Sequence, residues 1–321
     1  MTALAPQTSA GQPRLADNVL EELWFGTEDP ERSEYEASRS LAAALGVATG
    51  LKPFPLVLSR ALSLLQDPDA PQSKAVTLIE QDPALSSRLL RIANSALFAP
   101  SRPCAAVNEA ILRLGNRNVS DILAGVAVFG MFSDVGGLGS RIRDHCAGVA
   151  AIARILAVEW RFKGVEQVFL SALLHDVGKL LMMQAGEPRY DQMEPSLLNE
   201  VDRVHLEERH LTGYDHAALG AHVIVKWQLS PEVARIVAWH HQPGRAFQAG
   251  GETALSVALI RIADRIELDL ARGAGVTEGL IEALSRDESS QYANFSADWL
   301  QAVWEKLSKA RSETLAALGS R

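Results

Sequence analysis

Leu173-Leu174-His175-Asp176-Val177-Gly178-Lys179 closes an apolar run that reads as one helix over 165–176, ended by Gly178. An adjacent His-Asp pair at the end of a buried helix is costly unless something is there to bind it. His offers a neutral nitrogen and Asp a hard carboxylate, and together they suit a divalent metal of intermediate softness. The carboxylate has two oxygens, so it can also bridge two metals. All eight histidines of the chain lie between His145 and His241. One segment has therefore been given a concentrated imidazole chemistry.

Helical patterns extend outward from this stretch in both directions. Upstream, Asp82-Pro83 reads as an N-cap and first helical residue, followed by a helix over 84–94. A short helix over 110–114 closes at Gly115, 119–132 is almost wholly apolar and reads as a buried helix, and 146–160 repeats apolar residues at helical spacing. Downstream, Asp215 caps a helix running to Trp227. Ser230-Pro231-Glu232 opens another that reaches His240 and His241 and is stopped by Pro243. Residues 254–270 and 296–318 read as long helices, 243–252 as a Gly-containing loop, and 272–276 as a break. Convincing period-2 strands are absent, so the expected fold is all-α.

Composition narrows the function classes. A chain of 321 residues, 47% hydrophobic and 22% charged, can bury a sizeable core in two domains or subdomains. A net charge of −8 argues against a nucleic-acid surface. The arginines at 88, 91, 113 and 117 read as a solvated helix face. Cys104 and Cys146 make neither a disulfide framework nor a CxxC site, and they fit a reduced cytoplasm. The first fourteen residues lack a basic region and an apolar core, so no signal peptide is expected. The apolar stretch 122–132 is too short to span a bilayer and is interrupted by Gly125 and Gly130, so no membrane association is expected.

The candidate ligands, in order, are His145, His175, Asp176, His216, His240, His241 and Asp264. Each lies on or at the end of an expected helix, and a bundle can project such side chains onto one central point. Apolar neighbours turn several of them inward: Leu173 and Leu174 before His175, Trp239 before His240, Ile262 and Ala263 before Asp264. Lys179, one turn past the His-Asp pair, is placed to hold a phosphate oxygen as a point charge. Blander readings stand beside these, with His145 as a hydrogen-bonded core histidine and Asp264 as a partner of an arginine. His205, His210 and His222 read as non-ligands.

The order His145, His175-Asp176, Asp264 resembles the HD superfamily of metal-dependent phosphohydrolases. LKPFPLVLSRALSLLQDPDA (51–70), IEQDPALSSRLLRIANSALF (79–98) and EAILRLGNRNVSDIL (109–123) sharpen this into a resemblance to the HDOD domain, the HD-related output domain of bacterial signalling proteins. LLHDVGKL (173–180), GYDHAALGAHVIVKWQLSPEVARIVAWHHQP (213–243) and ALIRIADRIE (258–267) continue it. The resemblance implies a two-lobed helical domain over 48–270, with a helical lobe at 51–135 and an HD-like lobe at 136–270. Around it, 1–18 is expected to be disordered, 19–47 a helical extension and 271–321 a helical tail.

HDOD domains are regarded as regulatory modules, and many have lost metal ligands. Here the seven candidates align in order with the ligands of the related HD-GYP cyclic-di-GMP phosphodiesterases. Two features of those enzymes are missing: the GYP loop is replaced by QPGRAFQAGG, and Arg141 stands where some carry a glutamate for a third metal. The first reading is therefore a signalling output module with a divalent Fe, Mn or Zn site, whose partner is another signalling protein or a nucleotide messenger and which is open to homo-oligomerisation. Input is expected from a separate protein, docking on the first 48 residues or on 277–321. The second reading is a metal-dependent phosphohydrolase acting on a phosphomonoester, nucleotide or cyclic dinucleotide. The third is a relic that keeps the ligands with an empty site.

Overall fold

The computed structural model describes residues 46–47, 50, 54–95, 97–98, 102–132, 136–186, 190 and 203–318. The expectations for 1–18 and, but for residues 46 and 47, for 19–47 lie outside the described residues. Among the described residues every regular element is a helix and there is no strand.

Helices α1 (Leu56–Gln66), α2 (Gln72–Glu80), α3 (Pro83–Ala93), α4 (Val107–Leu114) and α5 (Asn116–Met131) pack on one another. α3 begins as its sequence predicts: the Asp82 carboxylate accepts the Leu85 N–H at 3.0 Å, with Pro83 as the first helical residue. α6 (Gly136–Glu159) is the axis of the molecule. It packs against α7 (Val165–Leu174), α13 (Gly251–Ala271) and α16 (Ala297–Leu318). The run Ala147-Gly148-Val149-Ala150-Ala151-Ile152-Ala153 on α6 is wholly buried, and its small side chains let neighbours approach from several sides. Between α7 and α13 come α8 (Val177–Ala185), α9 (Val204–Thr212), α10 (His216–Lys226), α11 (Pro231–Trp239) and α12 (Pro243–Ala249); α14 (Glu278–Arg286) and α15 (Glu288–Tyr292) precede α16.

The upstream helices join the rest where α5 packs on α7 and α3 on α16. At the second contact Arg91 Nε donates to the Ala317 carbonyl at 3.2 Å. One hydrophobic cluster runs through all of this, from Leu58 to Leu318. Both cysteines are free and buried. The stretch Val165–Ala185 is long and apolar enough to cross a membrane, but 78% of its most apolar window is buried inside the fold, as a core helix would be.

Several boundaries differ from the sequence expectation, each for a local reason. The helix expected over 165–176 ends at Leu174, and Gly178 lies in the first turn of α8 rather than terminating anything. The loop expected over 243–252 is mostly α12, because Pro243 both stops the preceding helix and pre-sets the first turn of the next. The helix expected from Cys146 starts ten residues earlier, at Gly136, and this puts His145 in mid-helix. The polar and small residues of that added segment conceal its helical period.

Within α5, burial raises the Asp121 carboxyl from 3.8 to about 7, with Arg117 pulling against it and Glu166 adding to the rise. An acid whose folded pKa lies above its unfolded value loses stability as pH climbs from the lower to the higher. Asp121→Asn is therefore expected to stabilise the protein above pH 7, by on the order of 1–2 kcal/mol once partial solvent screening is allowed for. The gain should shrink towards zero near pH 4. Urea midpoints at the two pH values check this, and equal shifts at both would contradict it.

Candidate metal centre

The seven candidate side chains converge from α6, the α7–α8 junction, the start of α10, the end of α11 and α13. Ligand atoms of Asp176, His216, His240 and His241 all lie within 4.8 Å of one another, and those of His145, His175 and Asp176 do the same. Asp176 belongs to both groups. Asp264 Oδ1 completes the second, 3.1 Å from His145 Nε2. His216 Nε2 stands 3.0 Å from Asp176 Oδ1 and 3.0 Å from His241 Nε2.

The local backbone explains this meeting. The chain breaks helix at His175-Asp176, so the pair projects inward from a corner rather than along a helix face. α8 then crosses the first turn of α10 at minimal distance. A Cβ on Gly178 would stand 1.8 Å from the His216 carbonyl oxygen, so only glycine lets His216 reach Asp176. Asp215 caps α10 by accepting the Ala218 N–H at 2.8 Å, and Arg209 holds its other oxygen at 2.6 Å.

Four of the five candidate histidines are anchored through Nδ1 and offer Nε2 to the interior. His175 Nδ1 donates to the Ala172 carbonyl at 2.7 Å and His240 Nδ1 to the Val237 carbonyl at 2.6 Å. His216 Nδ1 lies 2.6 Å from Glu208 Oε2, and His145 Nδ1 lies 2.6 Å from Glu267 Oε2. A backbone carbonyl accepts only from a protonated nitrogen, so the first two rings are left with a lone pair on Nε2. Those two Nε2 atoms are buried and make no hydrogen bond. An orphaned inward lone pair beside ionised carboxylates is what a cation-binding site requires. The residues present fit a divalent metal.

The electrostatics agree at Asp176, Asp264, His175, His240 and His241, while His145 and His216 each hold a proton that a bound cation would displace. Burial works to raise the Asp176 carboxyl, but Lys179 and His216 hold it well below the usual carboxylate range. Asp264 is likewise ionised, brought to about 2 against burial chiefly by His145. Burial pushes His240 and His241 far down, and His175 down, so these three are neutral. His145 and His216 go the other way. Burial opposes their charging, yet Glu267 lifts His145 to about 10 and Glu208 lifts His216 to about 9. The ammonium of Lys179 sits on Asp176 Oδ2 at 2.6 Å, so it is engaged with the acid rather than standing free for a phosphate.

The sequence reading missed Glu208 and Glu267, both fully buried. Glu267 had a signal, since it follows Asp264 by three residues and so shares its helix face. Glu208 had none, because its bonds to the Tyr190 hydroxyl (2.7 Å), His216 N–H (2.8 Å) and His216 ring depend on chain closure. His205, expected as a non-ligand, is buried with its ring stacked on His241 at 4.3 Å, and it belongs to neither ligand group. A cavity of about 450 Å³ opens over the centre, bordered by His145, Asp176, Lys179, Tyr190, His241 and Asp264.

A protein-family model described as the HDOD domain matches residues 51–243. Among curated proteins, an uncharacterized protein of Treponema pallidum (strain Nichols) is 24% identical over 216 residues, or 66% of this chain and 42% of that protein. The chain thus spans about two fifths of the length of that relative. Among solved structures, a protein named "Putative phosphohydrolase" from Shewanella amazonensis SB2B superposes with a TM-score of 0.68 at 23% identity, over 86% of this chain and 98% of that one. An HDOD domain protein with unknown function from Geobacter sulfurreducens gives 0.64 at 23% identity, over 86% and 98%. A protein named "Putative signal transduction protein" from Marinobacter aquaeolei VT8 gives 0.63 at 20% identity, over 91% and 67%. At these identities the likeness concerns the fold.

Proposed function

This chain belongs to the HDOD domain family, and on that premise we propose that it is a cytoplasmic signal-transduction output module with a binuclear divalent-metal centre in its helical core. One observation carries the proposal: four histidines present Nε2 inward around two ionised aspartates, each with Nδ1 anchored on a carbonyl or a buried glutamate. His145, His175, Asp176 and Asp264 would hold one ion, and Asp176, His216, His240 and His241 the other. Imidazole-rich sets with few carboxylates favour Fe, Mn or Zn over Ca or Mg, which prefer oxygen shells.

The chemistry such cations supply when bound is Lewis acidity at a phosphoryl oxygen. The protein groups for using it on a cyclic dinucleotide are thin. Lys179 is spoken for by Asp176. The segment after His241 is the short helix α12, with Arg245 lying over the Trp239 ring 4.9 Å from its centroid. Orientation of substrate supplies much of a phosphodiesterase's rate, and little here would provide it. The partner is accordingly a signalling protein or a nucleotide messenger. The second reading, a phosphohydrolase of a smaller phosphomonoester or nucleotide, is favoured by the completeness of the ligand set.

Assays with cyclic-di-GMP and with nucleotides, in the presence of Mn or Fe, separate the two. Little or no turnover is expected. Robust turnover lost in Asp176→Ala would make the phosphohydrolase the correct reading.

A further inference from the structure

The C-terminal helix reaches the centre. Arg311 on α16 donates from Nε to Glu267 Oε1 at 2.9 Å, and the other oxygen of that carboxylate, Oε2, holds His145 Nδ1 at 2.6 Å. The Glu267 side chain is 1% exposed. Space for it is made by a glycine: a Cβ on Gly148 of α6 would lie 2.6 Å from Glu267 Cγ and 2.7 Å from Oε1. Each oxygen of this buried acid is thus claimed by one partner, a guanidinium on one side and an imidazole on the other. Arg311 lies beyond the residues that the family model matches.

We propose that Arg311 is a positioning residue of the metal centre. By clamping Glu267 it fixes the His145 ring with Nε2 facing Asp264 and Asp176, so the docking of α16 sets the metal affinity of the His145 half. α16 also touches the upstream helices through the Arg91–Ala317 bond and the distal end of α6 through Lys306–Glu159 at 2.8 Å. A partner that shifts α16 would therefore alter one half of the centre and leave the other in place. The inference rests on the metal reading above.

The test is calorimetric titration of the full chain with Mn and with Zn. Outer partners of a metal-bound histidine typically change affinity by on the order of 10- to 100-fold. Arg311→Ala, which acts on His145 through Glu267, is expected to weaken one of two binding phases by about 10-fold, the low end of that range. Arg311→Lys should recover most of the loss, since it restores a cationic donor. Lys306→Ala should leave both phases as in wild type, because it removes only an exposed ion pair of α16 and does not touch Glu267. If Arg311→Ala loses its helical circular dichroism, Arg311→Gln takes its place with the same selective loss expected. Wild-type titration by Arg311→Ala or →Gln, equal weakening of both phases, or an equal loss in Lys306→Ala would overturn the inference while the metal reading stands. A wild-type protein that takes up no metal refutes both.

Discussion

Asp176→Ala is expected to empty both halves of the centre at once. The two ligand groups share this one carboxylate, and its oxygens face different neighbours: Oδ1 lies 3.0 Å from His216 Nε2, while Oδ2 takes Lys179 at 2.6 Å and lies 3.5 Å from His175 Nε2. Loss of a direct bridging ligand should exceed the 10- to 100-fold typical of an outer partner, giving a fall of roughly 100-fold or more in both binding phases. His216→Ala, by contrast, should remove one phase and spare the other. The apo protein should suffer as well. Without Asp176 the Lys179 ammonium, whose side chain is 18% exposed, has lost its partner, and breaking a largely buried pair costs about 3–5 kcal/mol. Asp176→Asn keeps the shape and separates the effects, with binding lost and stability less affected. Metal titration and denaturation of the three variants check this. A Asp176→Ala protein that retained one full-affinity site would show that the carboxylate is not shared.

The second large effect comes from a residue with no side chain. Gly178→Ala would place a methyl 1.8 Å from the His216 carbonyl oxygen, 2.6 Å from its carbonyl carbon and 2.7 Å from its Cα. All three are backbone atoms at the start of α10, so no side-chain rotation relieves the clash and the two helices must part. Overpacking of a core typically costs 1–3 kcal/mol, and a backbone obstacle puts this case at about 3 kcal/mol or above. The separation would also draw His216 away from Asp176, so the metal phase that depends on His216 should weaken in parallel. Gly137→Ala, where a Cβ meets nothing within 4 Å, is the matched control and should be near neutral. Unchanged stability and metal uptake in Gly178→Ala would mean that α8 and α10 are not held in this contact.

Local features of the fold were legible in the sequence because local chemistry encodes them. Asp82 and Asp215 cap helices with short bonds three residues on, and both are readable from a few residues of context. The convergence of the seven candidates was suggested by clustered histidines behind apolar neighbours. What escaped depends on contacts distant in sequence. Gly178 looked like a helix stop because its reason for being glycine is His216, thirty-eight positions away. His145 stands at the edge of its expected helix and in the middle of the real one, since Gly136 to Asp144 is too small and polar to show a period. Glu208 and Arg311 carried no visible mark, because each acts on a partner contributed by another helix, and Glu267 was marked only by its place three residues after Asp264. Pro243 marks a helix end in the sequence, yet the same fixed φ that ends α11 opens α12.

Whether the His/Asp cluster is a binuclear metal centre is decided by elemental analysis of protein purified without a metal-affinity tag, followed by titration of whatever sites remain. The expected result is Fe, Mn or Zn rising to two ions per chain, with Ca and Mg failing to compete. Protein that carries none of these metals and takes up none on titration would contradict it, and would leave the cluster a relic held together by its own protons.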